Sequence, residues 1–331
     1  MGKKQTSHRG ERDSAFFKGT LKQDGSSMFF ELQVLWDMFL RTVVAVTLIS
    51  RGYLILRWGS HLRGVFWDEA LMSPIVENWF GATWQGYVEN SDSFLTLGMQ
   101  VLGGVLIFMG LLICMLNRKH HVLLSSALVL SAIILALDSW SNFRDVHGQL
   151  GMLVEHALQF LCPLLLILRL LAPDSMRLWG LVACALCFFC FAGHGLYAVG
   201  YHPVPAGFVN MTMAILPLNE SAALDFLRLA GWLDFAVAVA VLVIPPLRRL
   251  GLLYMIAWGF ITALARPVVY CDAAIDWYGL DRWGAEFFVR TSHYVVPFLI
   301  LLLLPRRGSN GRLNLQLMKL GSVTQRIVAR I

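Results

Sequence analysis

The sequence predicts an all-α integral membrane protein with eight transmembrane helices, arranged as two parallel four-helix repeats. Three observations lead there. Long apolar runs recur along a chain that is 57% hydrophobic and only 15% charged. Short basic turns alternate with acidic loops. The second half of the chain then repeats the landmarks of the first. Soluble domains carry about a quarter charged residues, and disordered chains combine low hydrophobicity with high net charge, so both classes are excluded.

The spans fall at 34–57, 94–116, 121–139, 151–172, 178–200, 226–247, 250–270 and 286–305. Each has roughly the 17–25 residues a helix needs to cross a hydrocarbon core. Before them lies a basic N-terminal tail, 1–33, polar and without a cleavage-site pattern. The first repeat is 34–172 and the second 178–305. A basic tail, 306–331, reads as an anchor on the inner leaflet.

Orientation follows from Lys and Arg. With the N-terminus inside, both tails and the turns at Arg118-Lys119, Arg169–Arg177 and Arg248-Arg249 hold 18 of the 27 basic residues. Cytoplasmic segments retain such an excess, so both termini are expected in the cytoplasm, in a plasma or bacterial inner membrane. The net charge of +6 therefore needs no nucleic-acid partner. Trp58, Trp67, Trp79, Trp84, Trp140 and Trp283 cluster at the expected outer face, as an interfacial belt would. The outer loop 58–93 has apolar and acidic residues at helical spacing, which predicts a helix lying in the interface. Loop 201–225 is also expected to be structured.

The repeat is read from order. Arg51-Gly52 aligns with His194-Gly195, each at the outer end of a span. Segment 97–112 resembles 230–247, and each precedes a two-base turn. Segment 156–173 aligns with 290–306 on Pro163 and Pro297, pairing His156 with Arg290 and Gln159 with His293. Four spans per half keep both halves in one orientation, with a pseudo-two-fold axis along the membrane normal.

These features, from a Gly near the outer end of a span to the amphipathic loop and basic turn, resemble the DoxX-like four-helix membrane unit over roughly 39–172 and again 180–305. The resemblance implies an inner-membrane protein, with quinone-linked sulfur oxidation or oxidative-stress roles in some members. The multi-span domain of vitamin K-dependent carboxylase is a related look-alike, without a carboxylase-type extension here.

Charge at membrane depth is costly and marks functional sites. The candidates are Arg51, Asp138, Glu155, His156, His194, Asp234, Arg266, Glu286, Arg290 and His293, all expected in the outer halves of their spans and around one outward-facing polar cavity. Glu286, Arg290 and His293 share one helical stripe, as do His156, Gln159 and Pro163. Arg51, His156, His194, Arg266 and Arg290 are assigned to substrate binding; Glu286, Asp234 and His293 to proton relay. The plainer reading is structural ion pairs, Asp138 or Glu286 with Arg266 or Arg290.

A quinone would suit such a cavity, because an apolar pocket needs only a His or Arg to hold a carbonyl. Phe160, Phe191, Tyr197, Phe235 and Tyr294 lie near it. A redox component is thus the first functional expectation. A small-anion transporter and a structural subunit of a membrane complex are the alternatives, with lipid, a small lipophilic or anionic substrate, or other subunits as partners. Metal or haem held by His156, His194 and His293 is less favoured, because no two of them are closely spaced on one helix. Cys184, Cys187 and Cys190 read as buried small apolar residues. Phosphate-loop, dinucleotide, hydrolase-elbow and zinc-protease motifs are absent from the sequence.

Overall fold

Among the described residues, eight helices are long and apolar enough to cross a membrane. The computed structural model describes residues 36–304 apart from Asn117, Asp174 and Asp276, so the basic N-terminal tail and the interfacial C-terminal anchor expected from the sequence lie outside the described residues. Among the described residues the structure is helical, with one isolated β-bridge, Asp272 to Tyr278.

The spans are α1 (Trp36–Trp58), α4 (Trp84–Met115), α5 (His121–Asp145), the pair α6 (Leu150–Glu155) and α7 (Ala157–Leu171), α8 (Met176–Val199), α10 (Glu220–Val243), α11 (Pro245–Tyr270), and the pair α12 (Leu280–Val289) and α13 (Thr291–Leu303). Several begin or end further toward the expected outer face than hydropathy placed them. The second starts at Trp84 instead of 94, because Thr83 caps the helix by accepting from the Gly86 N–H, and a capped polar turn continues a helix beyond its apolar part. Likewise the Asn219 side chain accepts from the Ala222 N–H and starts α10 at Glu220.

The two loops expected to be structured are helical. Loop 58–93 holds α2 (Leu62–Phe66) and α3 (Glu69–Phe80), the latter capped by Asp68. Ion pairs tie this segment down: Arg63 to Asp92, Asp68 to Arg144, and His61 to Asp145 at 2.7 Å. Loop 201–225 holds the short apolar helix α9 (Ala206–Ile215). Arg282 lies over the rings of both Trp58 and Trp283, at 5.4 and 5.3 Å, so the ends of α1 and α12 that carry the aromatic belt meet on one side.

Helix α8 is the hub, packing against α6, α7, α10 and α13. Its small residues make this geometry available. A Cβ on Gly193 would stand 2.5 Å from the Glu155 backbone nitrogen, and one on Gly195 would stand 3.0 Å from the Gly231 carbonyl. The same close approach joins α1 to α4, where Gly52 meets Gly103. In lipid, where burial of apolar surface drives little association, such backbone contact is what holds helices together.

Two spans are broken at aligned positions. α6 and α7 join at His156, and α12 and α13 join at Arg290, each seven residues before a proline within the helix. In both, the side chain of the break residue bonds the carbonyl four residues earlier: His156 Nδ1 to Met152 O at 2.6 Å, and Arg290 Nη1 to Glu286 O at 3.0 Å. A carbonyl loosened in hydrocarbon must find a donor within the protein.

Gly193→Ala should therefore destabilise the fold by about 1–3 kcal/mol, the usual cost of overpacking. Gly98→Ala, where nothing lies within 4 Å of the added methyl, should not destabilise it. Thermal unfolding of both variants in detergent checks the contrast.

Candidate functional site

The glycine contacts of α8 set the site. Gly193 lets α6 approach closely, which brings Glu155 beside His194: Glu155 Oε2 is 3.4 Å from His194 Nδ1. Gly259 of α11 lies against the His293 backbone, its notional Cβ 3.1 Å from that carbonyl, which fixes the height of His293. The His194 and His293 rings then meet edge to face, with centroids 5.5 Å apart. His293 Nδ1 is 3.1 Å from the Arg290 carbonyl, so that nitrogen carries the proton and donates. Its Nε2 is buried and has no hydrogen-bond partner. Nor has Glu155 Oε2, whose contact with His194 is an ion-pair distance without hydrogen-bond geometry.

Arg290 pairs with Glu286 on its own helix, one of the pairings expected from the sequence. The partner of Asp138 is a correction. It is Arg51, at 3.3 Å, and not Arg266 or Arg290; Ser60 also donates to Asp138, at 2.7 Å. The reason is helix neighbourhood: the end of α1 and the end of α5 are brought together through the loop helix α2, which follows α1 and packs on α5. Arg51 remains within electrostatic reach of His156 and Glu286.

A cleft of about 150 Å³ opens beside this cluster, between α8, α9, α10 and α11. Of the eight assigned residues, His194, Asp234 and Arg266 line it. Its walls are Phe208, Phe226, Leu227 and Trp258, and its rim includes the exposed Ile215, Leu216 and Ile261. The aromatics named from the sequence lie elsewhere: Phe191 packs on His194, and Tyr197 packs behind Phe208. Arg266 Nη1 donates to the Thr262 carbonyl at 3.1 Å, and its guanidinium lies 6.0 Å from the Phe208 ring centre. Asp234 accepts from the Tyr254 hydroxyl at 2.8 Å. His156, Glu286, Arg290 and His293 stand behind this wall, and Arg51 pairs with Asp138.

Counted along the helices, Asp234 and His293 fall past the midpoints of α10 and of the α12–α13 pair, because these helices begin before the apolar runs seen in the sequence.

Tyr254, Trp258 and Glu155 were not assigned roles from the sequence. Tyr254, Trp258, Thr262 and Arg266 stand at four-residue spacing on α11, a polar stripe that would have marked the wall. Comparison with protein-family models, with curated proteins and with solved structures returns no match.

The Arg51–Asp138 pair offers a direct test of how this polar layer is held. Removing one partner leaves a buried charge uncompensated, so Arg51→Met should destabilise by about 3–5 kcal/mol. Arg51→Met with Asp138→Leu should recover most of that loss. Chemical or thermal unfolding of the single and double variants measures the coupling.

Proposed function

We propose that this chain is a DoxX-like, duplicated four-helix membrane protein that binds a quinone-class lipid in the cleft between α8 and α11, as a quinone-linked redox component. The observation that carries this reading is the make-up of the cleft. Its walls are apolar and aromatic, its rim opens among exposed apolar residues, and its few polar groups are His194, Thr212, Asp234, Thr262 and Arg266. An amphiphile with carbonyl oxygens matches that pattern, because a pocket orients such a ligand with a few placed donors. Arg266 and His194 would hold the oxygens. Asp234, bonded to Tyr254, is placed to exchange a proton with a ring oxygen. A small free anion would instead need a polar, hydrated lining, which is why transport ranks second.

The duplication is supported by three coincidences. The glycine contacts Gly52–Gly103 and Gly195–Gly231 recur between the first two spans of each half. The last span of each half breaks at the aligned residues His156 and Arg290. A surface helix follows the first span of each half. Both termini are placed in the cytoplasm by the Lys and Arg bias alone. On that orientation, a cysteine introduced at Trp79 of α3 should react with an impermeant maleimide added outside intact cells, and one at Ser126 of α5 should not. The reverse pattern would invert the topology.

Binding of a short-chain benzoquinone, followed by quenching of Trp258 with Trp258→Phe as the blank, tests the cleft. Arg266→Met should weaken binding about tenfold or more, the loss of one charged hydrogen bond of about 1.5–3 kcal/mol. Equal quenching in the folded wild type and Arg266→Met would remove Arg266 from the site. No quenching in the wild type would end the quinone reading.

A further inference from the structure

Cys190, His194 and His293 each direct one ligand atom to a common point, with all three atoms within 4.8 Å of one another. We propose that they form a transition-metal site of the zinc class, buried behind the cleft wall that His194 lines. Cys190 and His194 stand one turn apart on α8, so their side chains share a face. His293 reaches the same point from α13, which packs on α8. Cys190 is fully buried and His293 is 2% exposed.

The surroundings favour metal over chance proximity. A ligating imidazole binds through one nitrogen while the other donates to a carbonyl or carboxylate, which fixes the tautomer. His293 has that second partner. The Arg290 carbonyl takes the Nδ1 proton of His293 and leaves Nε2 as a lone pair. That Nε2 is buried without a hydrogen-bond partner, a costly state unless something fills it. At His194 the Glu155 carboxylate stands 3.4 Å from Nδ1, an ion-pair distance without hydrogen-bond geometry, and supplies negative charge beside the site.

A thiolate with two imidazoles suits zinc, cobalt or copper and not magnesium or calcium. On binding, the Cys190 thiol gives up its proton to solvent, since only the thiolate ligates. The thiolate and the Glu155 carboxylate then balance a divalent ion, which a low-dielectric site requires. Three protein ligands leave a fourth position open, the arrangement of reactive zinc centres. His194 borders the cleft as well, so this one side chain connects the proposed metal site to the cleft.

The test needs no quinone and is independent of the quinone reading. The full-length protein is purified in detergent, its metal content is measured, and it is then reloaded with Co²⁺. About one zinc per chain and a thiolate-to-cobalt charge-transfer band are expected, as for a three-ligand thiolate site. Cys190→Ala should lose the band and at least nine-tenths of the metal. Cys187→Ala, one turn earlier among apolar neighbours, should keep both. A folded wild type that takes up neither ion overturns the proposal, as does full metal retention in Cys190→Ala or equal loss in Cys187→Ala. Should Cys190→Ala fail to fold, the wild-type cobalt band together with Cys187→Ala still decides, because the band requires a sulfur ligand.

Discussion

Close approach of helix backbones at glycine is the constraint on which this structure depends. In hydrocarbon, helices gain little from burying apolar side chains against one another, since lipid is equally apolar. Contact between backbones at Gly193, Gly195 and Gly259 supplies dispersion over a long seam and fixes the height of each helix. Because these glycines adjoin or touch Glu155, His194 and His293, the seam that holds the bundle also gathers the polar cluster. A methyl group at Gly193 would push Glu155 away from His194 before it touched any other part of the fold.

The two broken spans answer a second constraint. Every backbone carbonyl in lipid needs a donor. At His156 and Arg290 the side chain of the break residue provides it, bonding Met152 O and Glu286 O respectively. Each polar side chain thereby repairs its own helix. For His156 this commits Nδ1 to the backbone. Arg290 does more, because the same guanidinium pairs with the Glu286 carboxylate and its carbonyl orients His293. Structural and site roles are therefore not separable here, and a single arginine serves both.

The polar groups divide into three layers with different neighbours. Arg51, Asp138 and Ser60 fasten α1, α5 and the loop leading to α2. Glu155, His194, His293, Arg290 and Glu286 form the cluster behind the cleft. Asp234 and Arg266 border the cleft itself, together with Phe208, Phe226 and Trp258, and Tyr254 donates to Asp234 from outside the lining. His194 belongs to both the second and the third layer, which makes it the link between the buried cluster and any occupant of the cleft.

The sequence by itself determined the eight spans, the helical loops and the set of polar residues at membrane depth. Hydropathy over twenty residues is a local property, and each charge in an apolar run is visible one position at a time. Stripes within one helix were legible for the same reason, as Glu286–Arg290 demonstrates. Only the tertiary structure decided partners across helices: Asp138 with Arg51, Glu155 with His194, and Cys190 with His194 and His293. Cys190 looked like its neighbours Cys184 and Cys187, since all three occupy the same apolar helix. Their difference lies in which helix faces them, and that is set by where glycines let α6 and α10 approach α8 and let α13 approach α11. Helix rotation and depth depend on the summed packing of several spans, so no pattern within one span could fix them.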